Sequence, residues 1–554
     1  MENAGLIIGK VNKRFKEESD LHDRMDEDFK LWDLQKTSFA TDTDFVSDTI
    51  KGSYPEEVNI ISNDARTSGD KVQSILSDAE MQIIVRMAEE EGEDKRGDIG
   101  KLERLFYFAL EKGDERLRRL LLLPLREQLI WYSLYRGWLA GRFLVYKSNG
   151  NVIFDFMPLD RRWLCYEMGD NGLLWIGYQT FRSGAAIESE YKVKAEKEND
   201  NLVIDYWEWG KDGLVSNIVL HNNDFLGKPE TYNLPSMPIL IAPVPTRPLI
   251  ASTSTKKAEV KGYGESIFAP IRGINEVRNK FGSIMATHAN LMAKQPLLHY
   301  YEPGIDPITK TTQYAGAVLN MAMGQQRIEE MPMKEISVTT VQIQNWLDAQ
   351  MERGILPNIP VGQPPPSGTL YNLVQEAGNK IFNPQLKNLS SFYADICRLV
   401  EEQLISGKLK VKVQQEAERK YYETQVTPVD LKKPHTIKVE FTARTPWSQL
   451  DVAQVAQMLK QLGLPDEWVW EYILKIQDPK GVKDLALIEM AEHSPELAPK
   501  KSIEAMMKYG RVDDALFLVN AQDKLEAERE MAMQGGTPPE EMPEEAMMPP
   551  GGGI

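Results

Sequence analysis

Residues 262–404 constrain the fold more than any other stretch. From Gly262 the chain reads GYGESIFAPIRGINEVRNKFGSIMATHANLMAKQPLL. Ile267, Ile271, Ile274, Phe281, Met285, His288 and Met292 fall near heptad spacing. That spacing predicts a helix over about 266–292 with one apolar stripe. Arg272, Glu276, Asn279, Lys280 and Asn290 are read onto its other side. Residues 296–336 read as short strands around a Pro/Gly turn. A return helix is predicted over 337–352, carrying Val341, Trp346 and Leu347. Residues 355–368 contain Pro357, Pro360, Pro364, Pro365 and Pro366 and cannot be helical. Thr369 restarts a helix that reaches Leu404, with Pro384 expected to kink it or break it locally. A helix thus goes out, a small strand-rich piece turns it, a helix comes back, and a proline loop leads into a longer helix.

The loop has a second property. No charged residue stands between Leu356 and Val374. A connection of about a dozen residues without secondary structure is uncommon in a compact domain and often functional. An uncharged loop of this kind can line a passage without gripping what moves through it.

The flanks read as helices, then strands, then helices. Residues 11–35 are polar and helical in flavour. Residues 59–91 read as a helix start and a longer helix, with Ile75, Leu76, Met81, Ile83, Ile84 and Met87 at mixed three- and four-residue steps. Two further helices are predicted over 99–111 and 115–138. The period then changes to two. Asn149-Gly150, Asp170-Asn171-Gly172 and the 210–213 stretch mark three hairpins, giving an antiparallel sheet region over about 142–245. Residues 407–445 return to strand pattern in KLKVKV and HTIKVEFTA and are expected to join that sheet. Short helices are predicted over 448–463, 467–476, 481–492 and 502–522. The stretch from Glu526 carries seven Glu against Arg529 and reads as disordered. The fold class expected is α+β, mainly helical.

Charge and cysteine content narrow the function. The net charge is −17, and broad adhesion to nucleic acid needs clustered Lys/Arg. Residues 251–300 run against that balance, with seven Lys/Arg and three Glu. On charge alone, a solvated helix face is the favoured reading of that strip. Cys165 and Cys397 are the only cysteines, which argues against a disulfide framework and for a reducing compartment. The N-terminal residues carry no long apolar run, so a secretory signal is not expected. The most apolar stretch, 120–144, is interrupted by Arg126, Glu127, Arg136 and Arg142, too charged for a membrane span.

No catalytic signature stands out: the sequence lacks a P-loop, HExxH, GxSxG or CxxC. The expectation is no catalytic residue, no metal and no cofactor. Asp23, Asp26, Glu27 and Asp28 read as a solvated helix face before they read as metal ligands. Gly262-Tyr263-Gly264 reads as a flexible turn with Ser266 near a helix N-cap. Trp131, Tyr132, Tyr135 and Trp138 read as core, and His288 as a packed interior residue.

In the order of these elements, over about residues 55–520, the chain resembles the portal proteins of tailed bacteriophages, the head–tail connectors. The turn Tyr263-Gly264-Glu265-Ser266 and the phrase GILPNIPVGQPPPSGTL are similar to family counterparts. The resemblance implies a subunit with wing, stem, clip and crown. Residues 1–141 match an N-terminal helical wing part, 142–250 a β-rich wing part, 262–294 the outgoing stem helix and 295–336 the clip. Residues 337–353 match the return stem helix, 354–369 the tunnel loop, 370–447 the long wing helix with returning strands, and 448–525 the crown. Residues 526–554 lie outside the family core.

The resemblance also implies roles. Pro357, Asn358, Pro360, Gln363, Pro364, Pro365, Pro366, Ser367 and Thr369 become tunnel-loop residues. Arg278, Lys280 and Lys294 become candidate DNA-channel contacts. Ile267, Ile271, Ile274, Phe281, Met285 and Met292 become a stripe packed between subunits. Leu298, Tyr300, Tyr301, Tyr314 and Arg327 become the clip surface. The expected assembly is a ring of twelve copies at one capsid vertex in the virion, built in the host cytoplasm. It would pass double-stranded DNA and dock the large terminase subunit, head–tail adaptor and tail proteins, and the major capsid and scaffolding proteins. No membrane partner is expected. Two other readings stay open: a non-viral helical scaffold, and a metal-dependent nuclease using Asp26 and Asp28.

Overall fold

A computed structural model describes residues 3–35, 58–87, 96–170, 172–194, 200–210, 212–246, 263–293, 297–305, 318–322, 327–330, 337–354, 382–417, 420–442, 456–463, 465 and 469. The fold is mixed α and β, compatible with α+β, and divides into two units, Met1–Thr445 and Pro446–Ile554.

The first unit opens with α1 (Ala4–Glu17) and α2 (Ser19–Trp32). Helix α3 (Asp64–Ser77) leads into strand β1 (Glu80–Met87). The continuous helix expected after residue 59 is therefore corrected to a helix and a strand. The run Ile83-Ile84-Val85 satisfies either period, and burial decides: Ile83 and Val85 are buried, whereas Arg86 is exposed.

Helix α4 (Arg96–Arg119) continues through the gap expected between residues 111 and 115, where Gly113 stands. A Cβ there would lie 2.4 Å from Phe156 Cδ2, so glycine lets the helix lie against the strand that carries Phe156. The break falls at 120–124 instead, and α5 (Leu125–Tyr135) starts after Pro124. Proline lacks the N–H and the clearance to continue a helix, which is why the helix expected over 115–138 does not form.

Strands β2 (Trp138–Ser148) and β3 (Asn151–Pro158) form the expected Asn-Gly hairpin, with φ of 49° at Asn149 and 87° at Gly150. Strands β4 (Leu164–Gly169), β5 (Gly172–Ser183), β6 (Asp200–Trp209) and β7 (Val215–His221) supply the other two hairpins. Helix α6 (Gly184–Tyr191) lies between β5 and β6 in the chain. The short strands β8 (Asp224–Phe225), β9 (Glu230–Tyr232) and β10 (Ile239–Pro243) follow. The region forms two sheets, β10-β2-β3 and β4-β5-β6-β7-β8, with β9 also on β7.

Helix α7 (Arg272–Ala293), strands β11 (Leu297–Tyr301), β12 (Val318–Ala322) and β13 (Arg327–Glu330), and helix α8 (Val338–Gly354) build the central hairpin. The long helix α9 (Asn383–Ser406) carries Pro384 in its first turn, where the missing N–H costs no hydrogen bond. Of the kink or local break expected at Pro384, the described residues show a helix start; residues 355–381 lie outside the described residues. Strands β14 (Val411–Ala417) and β15 (Lys420–Val426) pair with each other, and β16 (His435–Thr442) pairs antiparallel with β1. The expectation that these strands join the earlier sheets is corrected: KLKVKV has its own return strand close by, and HTIKVEFT completes the otherwise single strand β1.

The main core joins α3, α4, α5 and α9 to β1, β2, β3 and β16, with Leu76, Phe106, Leu129, Phe143, Phe156, Phe392 and Val439 buried. Gln403 of α9 acts as a local strand surrogate: its amide donates to Phe143 O and accepts from Val145 N–H, both at 2.8 Å. Helix α1 packs Ile7 and Val11 against Cys165, Trp175 and Tyr206 of the larger sheet. Burial pushes the Cys165 and Cys397 thiols up to about 12, so both are inert packing residues.

In the second unit, residues 456–461 are helical, within the helix expected over 448–463. Apart from Val469, the helices expected over 467–522 and the acidic stretch from 526 lie outside the described residues. No helix among the described residues is long and apolar enough to cross a membrane.

Candidate functional site: the helix hairpin and its anchorage

The hairpin is rooted in a turn packed against α5 and β2. Gly137 and Gly264 both have φ of 70°, and a Cβ on Gly137 would lie 2.1 Å from Gly264 O. Trp138 Nε1 donates to Tyr263 O at 3.1 Å. The turn read from sequence as flexible is therefore pinned. Ser266 accepts from Phe268 N–H at 3.2 Å, but it caps only the irregular 266–271 turn, and the helix starts at Arg272.

A set of arginine–carboxylate pairs ties this root to α2. Arg272 grips Asp28 with two hydrogen bonds, of 2.7 and 3.0 Å, and reaches Glu265 at 3.1 Å. Arg24 donates to Gly264 O at 2.8 Å and lies 3.4 Å from Glu265. Arg162 forks onto Asp26, Arg161 meets Glu18 at 2.7 Å, and Arg136 pairs with Asp160 at 2.9 Å. Asp28 has 0% side-chain exposure. The solvated face expected for Asp23, Asp26, Glu27 and Asp28 holds for Asp23 and Glu27, which are exposed, and is corrected for Asp28: a low-dielectric setting holds its carboxylate because a guanidinium faces it. The bidentate geometry leaves the carboxylates of Asp26 and Asp28 engaged by arginine. Among the described residues, no group of three or more His, Cys, Asp and Glu side chains could hold a metal ion.

Among the described side chains of α7, the fully buried ones are polar. Asn275, Ser283 and Thr287 are buried, whereas Ile274, Phe281, Met285 and Met292 are half-buried. The segment 58–62 accounts for Ser283 and Thr287, and for the half-buried Asn279. Val58 N–H donates to Thr287 Oγ1 at 2.9 Å, Ile60 N–H to Ser283 Oγ at 2.9 Å, and Ser62 N–H to Asn279 Oδ1 at 3.1 Å. Four helical residues rise about 6.0 Å and two extended residues about 6.6 Å, so the two ladders keep step. Sequence reading placed Asn279 on the outer side and missed this strap. Its signal was the four-residue spacing of Asn275, Asn279, Ser283 and Thr287.

Arg278 closes the hairpin. It donates to Ser62 Oγ at 2.7 Å and pairs with Asp64 and with Asp348 of α8. Burial alone would raise the Asp64 pKa; hydrogen bonds from Ser62 and Arg278 outweigh it and hold the carboxyl low. The Arg278 charge is neutralised inside the subunit. Lys280 lies 3.0 Å from Glu276, and Lys294 is outside the described residues.

Helix α8 buries Leu347 and Met351 but leaves Val338, Val341 and Trp346 exposed on another face, Trp346 to 59%. The strand piece is a three-stranded sheet, β12-β11-β13, with β11–β12 parallel and β11–β13 antiparallel. His299 is buried within it and contacts Asn320 Oδ1 at 2.8 Å. Leu298, Tyr300 and Tyr301 are half-buried, and Arg327 lies over the Tyr300 ring at 5.9 Å. Met321 and Ile328 are exposed. Tyr314 and the whole 355–369 loop lie outside the described residues. Of the apolar stripe, Ile271 is built into the main core and Ile267 packs against it.

Neither the protein-family models nor the curated proteins yield a match to this chain.

Proposed function

We propose that this chain is a portal-type subunit. Copies assemble side by side into a ring that passes double-stranded DNA at one capsid vertex and docks the terminase motor, head–tail adaptor and tail proteins. The observation that carries the reading is the hairpin α7–(β11, β12, β13)–α8. Its outer surface keeps Val338, Val341 and Trp346 exposed, and its small sheet has β12 and β13 at its edges. A sheet of four- and five-residue strands, with two of its three strands at the edges among the described residues, is a marginal element alone. Side-by-side packing of hairpins would bury both features, at about 1.5–3 kcal/mol for each large apolar side chain covered.

The charge arrangement fits the same reading. A subunit of net −17 gives little standing adhesion to duplex DNA. Arg278 then serves the hairpin rather than the channel, and Lys280 and Lys294 are the remaining candidates for brief phosphate contacts. The uncharged loop around Pro364–Pro366 lines the constriction. No catalytic step is assigned to the chain.

The loop assignment is tested by deleting Pro364–Pro366. Rings should form with unchanged dimensions in particle images, while DNA packaging or genome retention falls. Intact rings with packaging and genome retention both unchanged would remove the loop from the channel. A Mg²⁺-dependent nuclease activity lost in Asp26→Asn would instead favour the enzyme reading.

A further inference from the structure

Helix α4 ends in a locally basic surface of this acidic chain. A cavity of about 500 Å³ lies between the α4 C-terminus, the β2–β3 turn and the start of β14. Lys112, Arg116, Arg119, Lys410 and Lys412 line it, against the single acid Glu115. Lys112 is paired with Glu115, Arg116 with Asp155 and Lys412 with Glu423. Arg119 and Lys410 have no carboxylate partner among the described residues. Phe108, Phe154 and Val411 contribute apolar lining.

Four consecutive leucines begin one residue after Arg119. Leu120, Leu121, Leu122 and Leu123 are all exposed, Leu121 to 94%. Consecutive exposed apolar residues have a cost in solvent that function commonly explains. Leu121 also adopts φ 59°, the left-handed conformation that normally calls for glycine after a helix. Leu121 N–H and Leu122 N–H donate to Arg118 O and Leu117 O, both at 3.0 Å, so the backbone forms a regular helix stop. A leucine in that stop is strained and holds its side chain in solvent.

We propose that this face is a docking site for a partner polypeptide segment that is both acidic and aliphatic. Its carboxylates meet Arg119 and Lys410, and its apolar side chains cover Leu120–Leu123 and enter the cavity. Charge complementarity selects an anion. The leucines select against nucleic acid, whose backbone offers them no aliphatic partner. The cavity selects against a bilayer surface, which would leave it unfilled. The proposal goes beyond the ring reading and does not rest on it.

The test uses the full chain and a labelled synthetic helical peptide of about twenty residues, Glu on one side and Leu on the other. Fluorescence anisotropy should show saturable binding. Arg119→Glu/Lys410→Glu and, separately, Leu121→Gly should each weaken it by about ten-fold or more, as should replacing the peptide leucines by Ser. Leu121→Gly relieves the strained backbone, so its melting temperature should match or exceed that of the parent, separating lost docking from lost folding. Three results would overturn the proposal: no binding of the peptide, equal binding of the Ser-substituted peptide, or unchanged binding by both variants. Binding of short duplex DNA or phosphatidylglycerol vesicles in place of the peptide would reassign the surface.

Discussion

At the scale of single residues, stability and acid response concentrate where α2 meets the root of the hairpin. Arg272→Met leaves the Asp28 carboxylate buried without its cation, and should destabilise the chain by about 3–5 kcal/mol in urea unfolding. The double variant Arg272→Met/Asp28→Leu should be less destabilised than Arg272→Met alone, because no buried charge remains unpaired. A double variant as weak as the sum of the singles would deny the coupling. His22 reports the same junction. Burial, then the Arg161 and Arg162 cations, lower its pKa from 6.5 to about 3. Between those values the unfolded chain binds the proton that the folded chain refuses, so stability falls as pH falls. His22→Phe should flatten that dependence just below pH 6.5, read as urea midpoints. Identical slopes in parent and variant would contradict the buried neutral imidazole. None of this was legible in the sequence, where Asp26 and Asp28 looked like an exposed acidic face. Their partners Arg162 and Arg272 lie far along the chain, and helical periodicity cannot show a pairing made by tertiary folding.

At the scale of elements, local signals were read well and distant ones poorly. The three hairpins were legible because turns such as Asn149-Gly150 announce themselves within a few residues. Strand β1 was not, because only pairing with β16 near the far end of the unit makes it a strand. The hairpin α7–α8 was legible as a pattern, but the strap of residues 58–62 was not. It depends on polar side chains that an apolar-stripe analysis passes over. Replacing Asn279, Ser283 and Thr287 with Leu, Ala and Val removes three acceptors, each worth about 0.5–1.5 kcal/mol. Amide exchange at Val58, Ile60 and Ser62 should then accelerate selectively, with the α9 core unchanged. Uniform acceleration would mean that α7 itself had unfolded. Trp346→Glu tests the opposite surface. The tryptophan is exposed in the subunit, so the melting temperature of the isolated chain should stay within a few degrees. Self-association should weaken markedly.

At the scale of the molecule, the central claim is that an acidic subunit with an exposed apolar hairpin exists to be one member of a ring. The α+β character and the order of elements through the hairpin could be read before the fold was known. The proline-rich loop remains a reading of sequence, since its charge-free composition is its chief evidence. The resemblance to head–tail connectors rests on that order and on the phrases at Tyr263–Ser266 and Gly354–Leu370. Native mass spectrometry of the purified chain, with Trp346→Glu alongside, tests the claim most directly. The account predicts a discrete species near twelve copies of the 63.0 kDa chain, lost or reduced in the variant. A single 63.0 kDa species across concentration and salt, the same for parent and variant, would contradict it.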